Sequence, residues 1–291
     1  MATLANIRSE NKEGSLYVDR SCINCGTCRI IAPGFFSEVN GKSAVLRQPN
    51  ESSEWIDSSR AIISCPTNSI GSREKHALEL KEAVSSFPSL IEDGVYYCGY
   101  AARESYGASS YLIVRKEGNV LVDSPRFNPK LVKQIEKLGG IRYLFLTHKD
   151  DVADHALFQK HFECERIIHA DDVTPDTESV EKKVRGEAPF LLTEDMLAIP
   201  TPGHTKGHMV LLYKNRFLFT GDHLAYSIES NALYAFDNAC WYSWARQIES
   251  VRLLKNFDFD WVLPGHGDRG SLAGKSGQLI ERCVKEMKAQ S

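Results

Sequence analysis

The sequence predicts an α/β domain preceded by a small cysteine-loop module, and three observations carry that reading. Four short apolar runs each end on a residue able to bind a metal: Asn119-Val-Leu-Val-Asp123, Tyr143-Leu-Phe-Leu-Thr-His148, Phe217-Leu-Phe-Thr-Gly-Asp222 and Trp261-Val-Leu-Pro-Gly-His266. From Gly94 onward, strand-like and helix-like stretches alternate. Near the N-terminus, Cys22, Cys25 and Cys28 share one tight loop, and Cys65-Pro66 adds a fourth thiol from a distance.

The elements follow in order. Leu16-Tyr-Val-Asp19 reads as a first strand, and residues 72–84, charged and free of Gly and Pro, read as a connecting helix ending before Phe87-Pro88. Val95-Tyr-Tyr-Cys, Ser110 to Arg115 and Asn119 to Val122 read as strands, Phe127 to Leu138 as a helix and Tyr143 to Leu146 as a strand. Ala153 to Phe162 reads as a helix, and Arg166-Ile-Ile as a strand. A long helical segment from about Trp241 to Asn256, strand Trp261-Val-Leu and a helix near Leu272 to Lys288 complete the pattern. The boundary is expected near Pro88, giving domains 1–88 and 89–291.

Composition bounds the function. With 291 residues, 42% hydrophobic and 25% charged, the chain can bury a sizeable core. A net charge of −3 gives no general attraction to nucleic acid or anionic membrane, and no apolar run approaches a membrane span. The N-terminus lacks the long apolar stretch of a secretory signal. A cytoplasmic, reducing location is expected, or an organelle stroma if a transit peptide has been removed. Cys98, Cys164, Cys240 and Cys283 read as small core residues rather than a disulfide framework.

The triplet Cys22-Ile-Asn-Cys25-Gly-Thr-Cys28 can wrap one face of a cubane cluster while Cys65 closes the opposite corner. Four thiolates also suit a structural zinc ion, which the triplet spacing disfavours. Residues 14–72 resemble the monocluster bacterial-type ferredoxins, with a small α+β fold implied. Ala32-Pro33 stands where two-cluster relatives place a further Cys-Pro, and no second triplet exists. The resemblance implies one [4Fe–4S] cluster held by Cys22, Cys25, Cys28 and Cys65.

Five segments in order carry the second resemblance: Leu121-Val-Asp123, Thr147-His148-Lys-Asp150-x₃-Asp154-His155, Pro202-Gly-His204-Thr205, Thr220-Gly-Asp222 and Pro264-Gly-His266-Gly. Strands that end on imidazoles and carboxylates can surround a pair of ions. From about Gly94 to Ser291 the chain resembles the metallo-β-lactamase superfamily, which implies an αββα sandwich with metals at one edge of its facing sheets. The resemblance implies His148, Asp150 and His204 on one metal, Asp154, His155 and His266 on the other, Asp222 bridging and Asp123 in support. Asp222 and Asp154 are the implied catalytic residues. The second segment departs from the family's His-x-His-x-Asp-His: Asp150 stands for the second histidine, and two extra residues precede Asp154. The alternative is that Asp151 or Asp154 caps the following helix and Asp150 is solvated. His208 and His223 are candidate supporting donors, His169 a candidate pocket residue, and His76 and His161 read as surface or structural residues.

The implied chemistry is metal-dependent hydrolysis of a small ester, thioester or related substrate, with one or two Zn, Fe or Mn ions. The alternative is a diiron or mononuclear iron oxidoreductase fed by the cluster, because hard oxygen ligands such as Asp150 suit iron and manganese. A small-molecule substrate and, for the second reading, a redox partner are expected; no oligomeric state follows.

Overall fold

The computed structural model describes residues 2–290. The chain forms two compact units, one built from residues up to Arg142 together with Ala153–Cys164, the other from Tyr143–Val152 and Glu165 onward.

The first unit opens with the cysteine module. Strand Leu16–Val18 pairs antiparallel with Ile70–Ser72, and Phe36–Val39 forms a hairpin with Lys42–Val45. Leu16, Val18, Phe36, Val45, Trp55 and Ile70 bury a small core together with three of the cluster-type cysteines. Burying apolar side chains supplies the main driving force for such a module. Helix Ser52–Ser64 delivers Cys65 at its C-terminal end. The connecting helix runs Ala77–Ser85 rather than from residue 72. The reason lies in the backbone: Arg73 N donates to Ser15 O, and Glu74 N donates to Ser15 Oγ, so these amides extend the strand. Beyond it, strands Ser89–Glu92, Val95–Tyr97, Tyr111–Ile113 and Val120–Val122 pair antiparallel in sequence. Helix Pro129–Lys137, capped by the Asn128 side chain, and helix His155–Phe162 complete this unit.

The second unit holds parallel strands Tyr143–Phe145, Glu165–His169 and Lys182–Val184. Its second sheet runs Phe190–Thr193, Met196–Pro200, Met209–Tyr213, Phe217–Gly221, Trp261–Pro264 and Gly270–Ser271 in spatial order. Pairing is antiparallel except between Phe217–Gly221 and Trp261–Pro264. Met209–Tyr213 and Phe217–Gly221 are buried along their whole length, which explains their continuous apolar composition. Helices Trp244–Leu253 and Ser276–Ala289 pack on one side through Val251, Ile280 and Met287 against Val210, Leu212 and Val262. The first of these starts later than the sequence suggests. The Trp241 and Tyr242 amides both bond His204 O, and the Ser243 side chain caps the helix.

Candidate metal centre and cluster site

In the second unit, strand ends deliver the polar residues that sequence analysis singled out. His148 follows Tyr143–Phe145, His204 follows Met196–Pro200, Asp222 follows Phe217–Gly221 directly, and His266 follows Trp261–Pro264. Gly221 makes the turn into Asp222: its φ is +47°, and a Cβ there would lie 2.4 Å from Thr147 Oγ1 and 2.8 Å from His208 Nε2.

His148, Asp150 and His204 present ligand atoms within 4.8 Å of one another, and so do His148, Asp151 and Asp222. His204 Nε2 lies 3.4 Å from Asp150 Oδ2 and 3.9 Å from Asp222 Oδ2. His148 Nε2 lies 3.9 Å from Asp150 Oδ2 and 3.8 Å from Asp222 Oδ2. His266 Nδ1 and Asp222 Oδ1 share a 2.8 Å hydrogen bond. Among the described residues, neither His148 Nε2, nor either ring nitrogen of His204, nor Asp150 Oδ2 has a hydrogen-bond partner, although all are buried atoms. Buried polar atoms are normally satisfied. Two donors each about 2.1 Å from one ion are separated by roughly 3.4 Å, so convergent, unsatisfied imidazole and carboxylate atoms fit a divalent cation.

Electrostatics keeps the ligands in binding form. Burial pushes the His148 imidazole down to about 4, so it is neutral near neutral pH. Burial works against ionisation of Asp222, yet His266 and then His148 and His204 outweigh it and hold the carboxyl well below the usual range. For Asp150 too, burial is outweighed, chiefly by His204, and its carboxyl is lowered.

A shell of buried groups aims these ligands. Thr147 Oγ1 bonds His148 Nδ1 at 3.0 Å, and Thr201 Oγ1 bonds His208 Nδ1 at 2.9 Å. The His208 ring stacks on His148 at 5.1 Å, and His223 lies 5.4 Å beyond it. Burial lowers both: His208 well below its ordinary value, His223 to about 3. His208 and His223 thus back the site as a neutral imidazole column. For His169, a candidate pocket residue, Nε2 faces Gly186 O at 3.1 Å and Nδ1 accepts from Asp171 N. His76 stacks on Trp55, and His161 pairs with Glu136 at 2.8 Å.

Asp154 and His155 belong to the first unit. Asp154 Oδ2 accepts from Phe127 N at 2.7 Å, and His155 is the buried first residue of its helix. Asp154 sits at the N-cap position without a side-chain cap bond. Asp123 is also in the first unit, buried, with φ +55°. Two residues escaped sequence analysis as site residues. Asp151 joins His148 and Asp222, and its only sequence signal is the Asp150-Asp151 doublet after His148. Buried Asp172 accepts from Lys149 N, Thr205 Oγ1 and Gly207 N, which ties the loops after His148 and His204 together. No motif marks it.

In the first unit, Cys22, Cys25, Cys28 and Cys65 line one small space with Val18, Ile23 and Pro66. All four are free of disulfides. Backbone amides already point at two of the sulfurs, Asn24 N at Cys22 (3.4 Å) and Ser69 N at Cys65 (3.2 Å). Burial pushes the Cys28 thiol up to about 12 and raises Cys25, so loading this site with cationic iron must displace protons. Four convergent thiols with amide donors fit an iron–sulfur cluster.

Comparison with known proteins finds a family for each part of the chain. Residues 18–72 match the 4Fe-4S single cluster domain of Ferredoxin I, and residues 105–266 match the metallo-beta-lactamase superfamily. A probable metallo-hydrolase, MJ0888, of Methanocaldococcus jannaschii is 29% identical over 193 residues, spanning 57% of this chain and 90% of its own. The metallo-beta-lactamase superfamily protein ST1585 of Sulfolobus tokodaii superposes with a TM-score of 0.50 at 20% identity, over 69% of this chain and 88% of its own. The mono-zinc metallo-beta-lactamase FIM-1 of Pseudomonas aeruginosa gives 0.52 at 19%, over 67% and 94%. At these identities the likeness to the two solved structures establishes the fold. The superfamily match spans more than half of the chain and contains every converging ligand from His148 to His266, so the chain belongs to the metallo-beta-lactamase superfamily and carries a single-cluster 4Fe-4S ferredoxin domain ahead of that fold.

Proposed function

We propose that the protein is a metal-dependent hydrolase of a small ester or thioester. The observation that carries this is the pair of overlapping ligand sets, His148/Asp150/His204 and His148/Asp151/Asp222, with His266 bonded to Asp222. One or two divalent ions held there would polarise a carbonyl oxygen and activate a water. The chain's own residues do the remaining work. Asp222, kept ionised by its imidazole neighbours, orients His266 and supplies negative charge between the histidines. Asp150 is the open carboxylate of the set, with its side chain 41% exposed against 13% for Asp222, so it meets the arriving substrate and can take the proton from water. Trp241 stands beside His204 with its ring 6.2 Å away and 64% of its surface exposed, and its amide is fixed to His204 O. It offers an apolar wall for the body of the acyl or leaving group.

A second reading rests on one specific feature. Asp150, Asp151 and Asp222 make the donor set rich in hard oxygen, which suits iron or manganese and an oxidoreductase drawing electrons from the cluster. Full-length Cys22→Ser protein, lacking cluster iron, decides between them. Zinc in that protein with thioester or lactone hydrolysis retained supports the hydrolase. Iron or manganese with hydrolysis absent, and cluster-dependent reduction of the second site in the wild type, supports the oxidoreductase. The free cysteines fit a reducing compartment, in which we place the protein.

A further inference from the structure

At Cys25 the cluster site meets Thr27, whose backbone amide and side chain both face the sulfur. Cys22 and Cys65 each face a backbone amide, from Asn24 and Ser69. The Cys28 thiol donates to Ser43 Oγ at 3.3 Å, and that oxygen also accepts from Arg29 Nη1 at 2.6 Å. At Cys25 the neighbouring hydroxyl is Thr27 Oγ1, 3.3 Å from Sγ, but that hydroxyl donates to Gly107 O at 2.9 Å. A hydroxyl has one proton, and a carbonyl can only accept it. The turn around Gly107 therefore diverts a proton that the Cys25 sulfur would otherwise receive.

The turn is built for this approach. Tyr106 N, Gly107 N and Ala108 N close it onto Arg103 O, Ala102 O and Ser105 O, and Tyr106 Oη donates to Ile23 O beside the cysteine loop. Gly107 has φ +89°, and a Cβ there would lie 2.6 Å from Cys25 Cβ, 2.8 Å from Sγ and 3.1 Å from Thr27 Oγ1. Only glycine lets this backbone reach the cysteine.

We propose that Thr27 and Gly107 are positioning residues that couple the charge of the cluster to the seating of the 103–108 turn. When a low-potential one-electron donor reduces the cluster, the added negative charge strengthens Cys25 Sγ as an acceptor. The Thr27 hydroxyl rotates from Gly107 O toward the sulfur; its O–H bond stays intact and no proton leaves the residue. The turn loses its bond and loosens. Because coupling between two equilibria is reciprocal, a seated turn lowers the cluster potential and an unseated one raises it.

The test uses full-length protein with its cluster reconstituted anaerobically. Amide exchange of Tyr106, Gly107 and Ala108 is compared before and after dithionite reduction, and the potential is read by EPR-monitored titration. Exchange should quicken on reduction in the wild type and in Thr27→Ser, and the difference should vanish in Thr27→Val. Gly107→Ala should shift the potential upward, and adding Thr27→Val should remove part of that shift. Equal exchange in both oxidation states of the wild type overturns the proposal, as does a Gly107→Ala shift unaffected by the second substitution. Should Gly107→Ala fail to hold a cluster, the Thr27 pair decides alone: a merely structural hydroxyl would alter exchange equally in both oxidation states.

Discussion

Gly265→Ala probes the metal centre without removing any ligand or charge. A Cβ on Gly265 would lie 2.7 Å from Asp222 Oδ1 and 2.8 Å from Asp151 Oδ2. To restore ordinary van der Waals contact, each carboxylate oxygen must give way by about 0.6–0.7 Å. Asp222 cannot yield freely, because its Oδ1 is bonded to His266 at 2.8 Å, and a shift propagates to that imidazole. Disturbing the groups that orient metal ligands costs about 10–100-fold in affinity, and a loss in that range is expected. Competition titration against a chromogenic chelator measures that loss, and thermal unfolding of metal-free protein shows whether the fold survives. Gly277→Ala is the control: nothing lies within 4 Å of that Cβ, and it sits in helix Ser276–Ala289. It should gain about 0.5–1 kcal/mol and leave metal affinity alone. Wild-type affinity in folded Gly265→Ala would refute the joint use of Asp151 and Asp222.

Three further outcomes follow from the same geometry. Asp222→Asn should give the largest loss of bound metal among single carboxylate variants, and Asp151→Asn a larger loss than Asp154→Asn, read by elemental analysis of dialysed protein; equal retention in all three would contradict the ligand sets. In metal-free protein, stability should be level above pH 6.5 and fall as pH drops toward 4. The unfolded chain takes up protons in that window, while His148 and His223, lowered to about 4 and about 3, stay neutral in the native state; urea midpoints that stay constant from pH 7 to 4.5 would contradict this. Cys65→Ser should lose the brown colour and sulfide of the cluster, whereas Cys98→Ser should keep both, since Cys98 is fully buried and burial pushes its thiol up to about 12.

Some of this centre was legible in the sequence, and the divide has a physical basis. Strand-terminal ligands such as Asp222 and His266 follow apolar runs whose composition is fixed by burial on both faces, so the strand and its end both leave a trace. The cysteine triplet is local and equally visible. Asp150 and Asp151 sit in an irregular loop, where spacing carries no periodicity and a two-residue shift changes every assignment. Asp172 acts entirely through partners distant in sequence, Thr205 and Gly207, and nothing local distinguishes it from any surface aspartate. The late start of helix Trp244–Leu253 has the same origin: helix propensity at Trp241 and Tyr242 loses to two bonds with His204 O.

A metal held by the strand ends described above is also a cross-link. His148 and His266 stand more than a hundred residues apart, and a tie across such a span removes chain entropy worth about 4–5 kcal/mol if it holds as firmly as a covalent bridge. His266 is placed beside the other ligands by the parallel pairing of Trp261–Pro264 with Phe217–Gly221, a crossover that helix Trp244–Leu253 spans. Protein refolded with a chelator present should therefore reach the same fold without that tie, and be less stable by about the same amount.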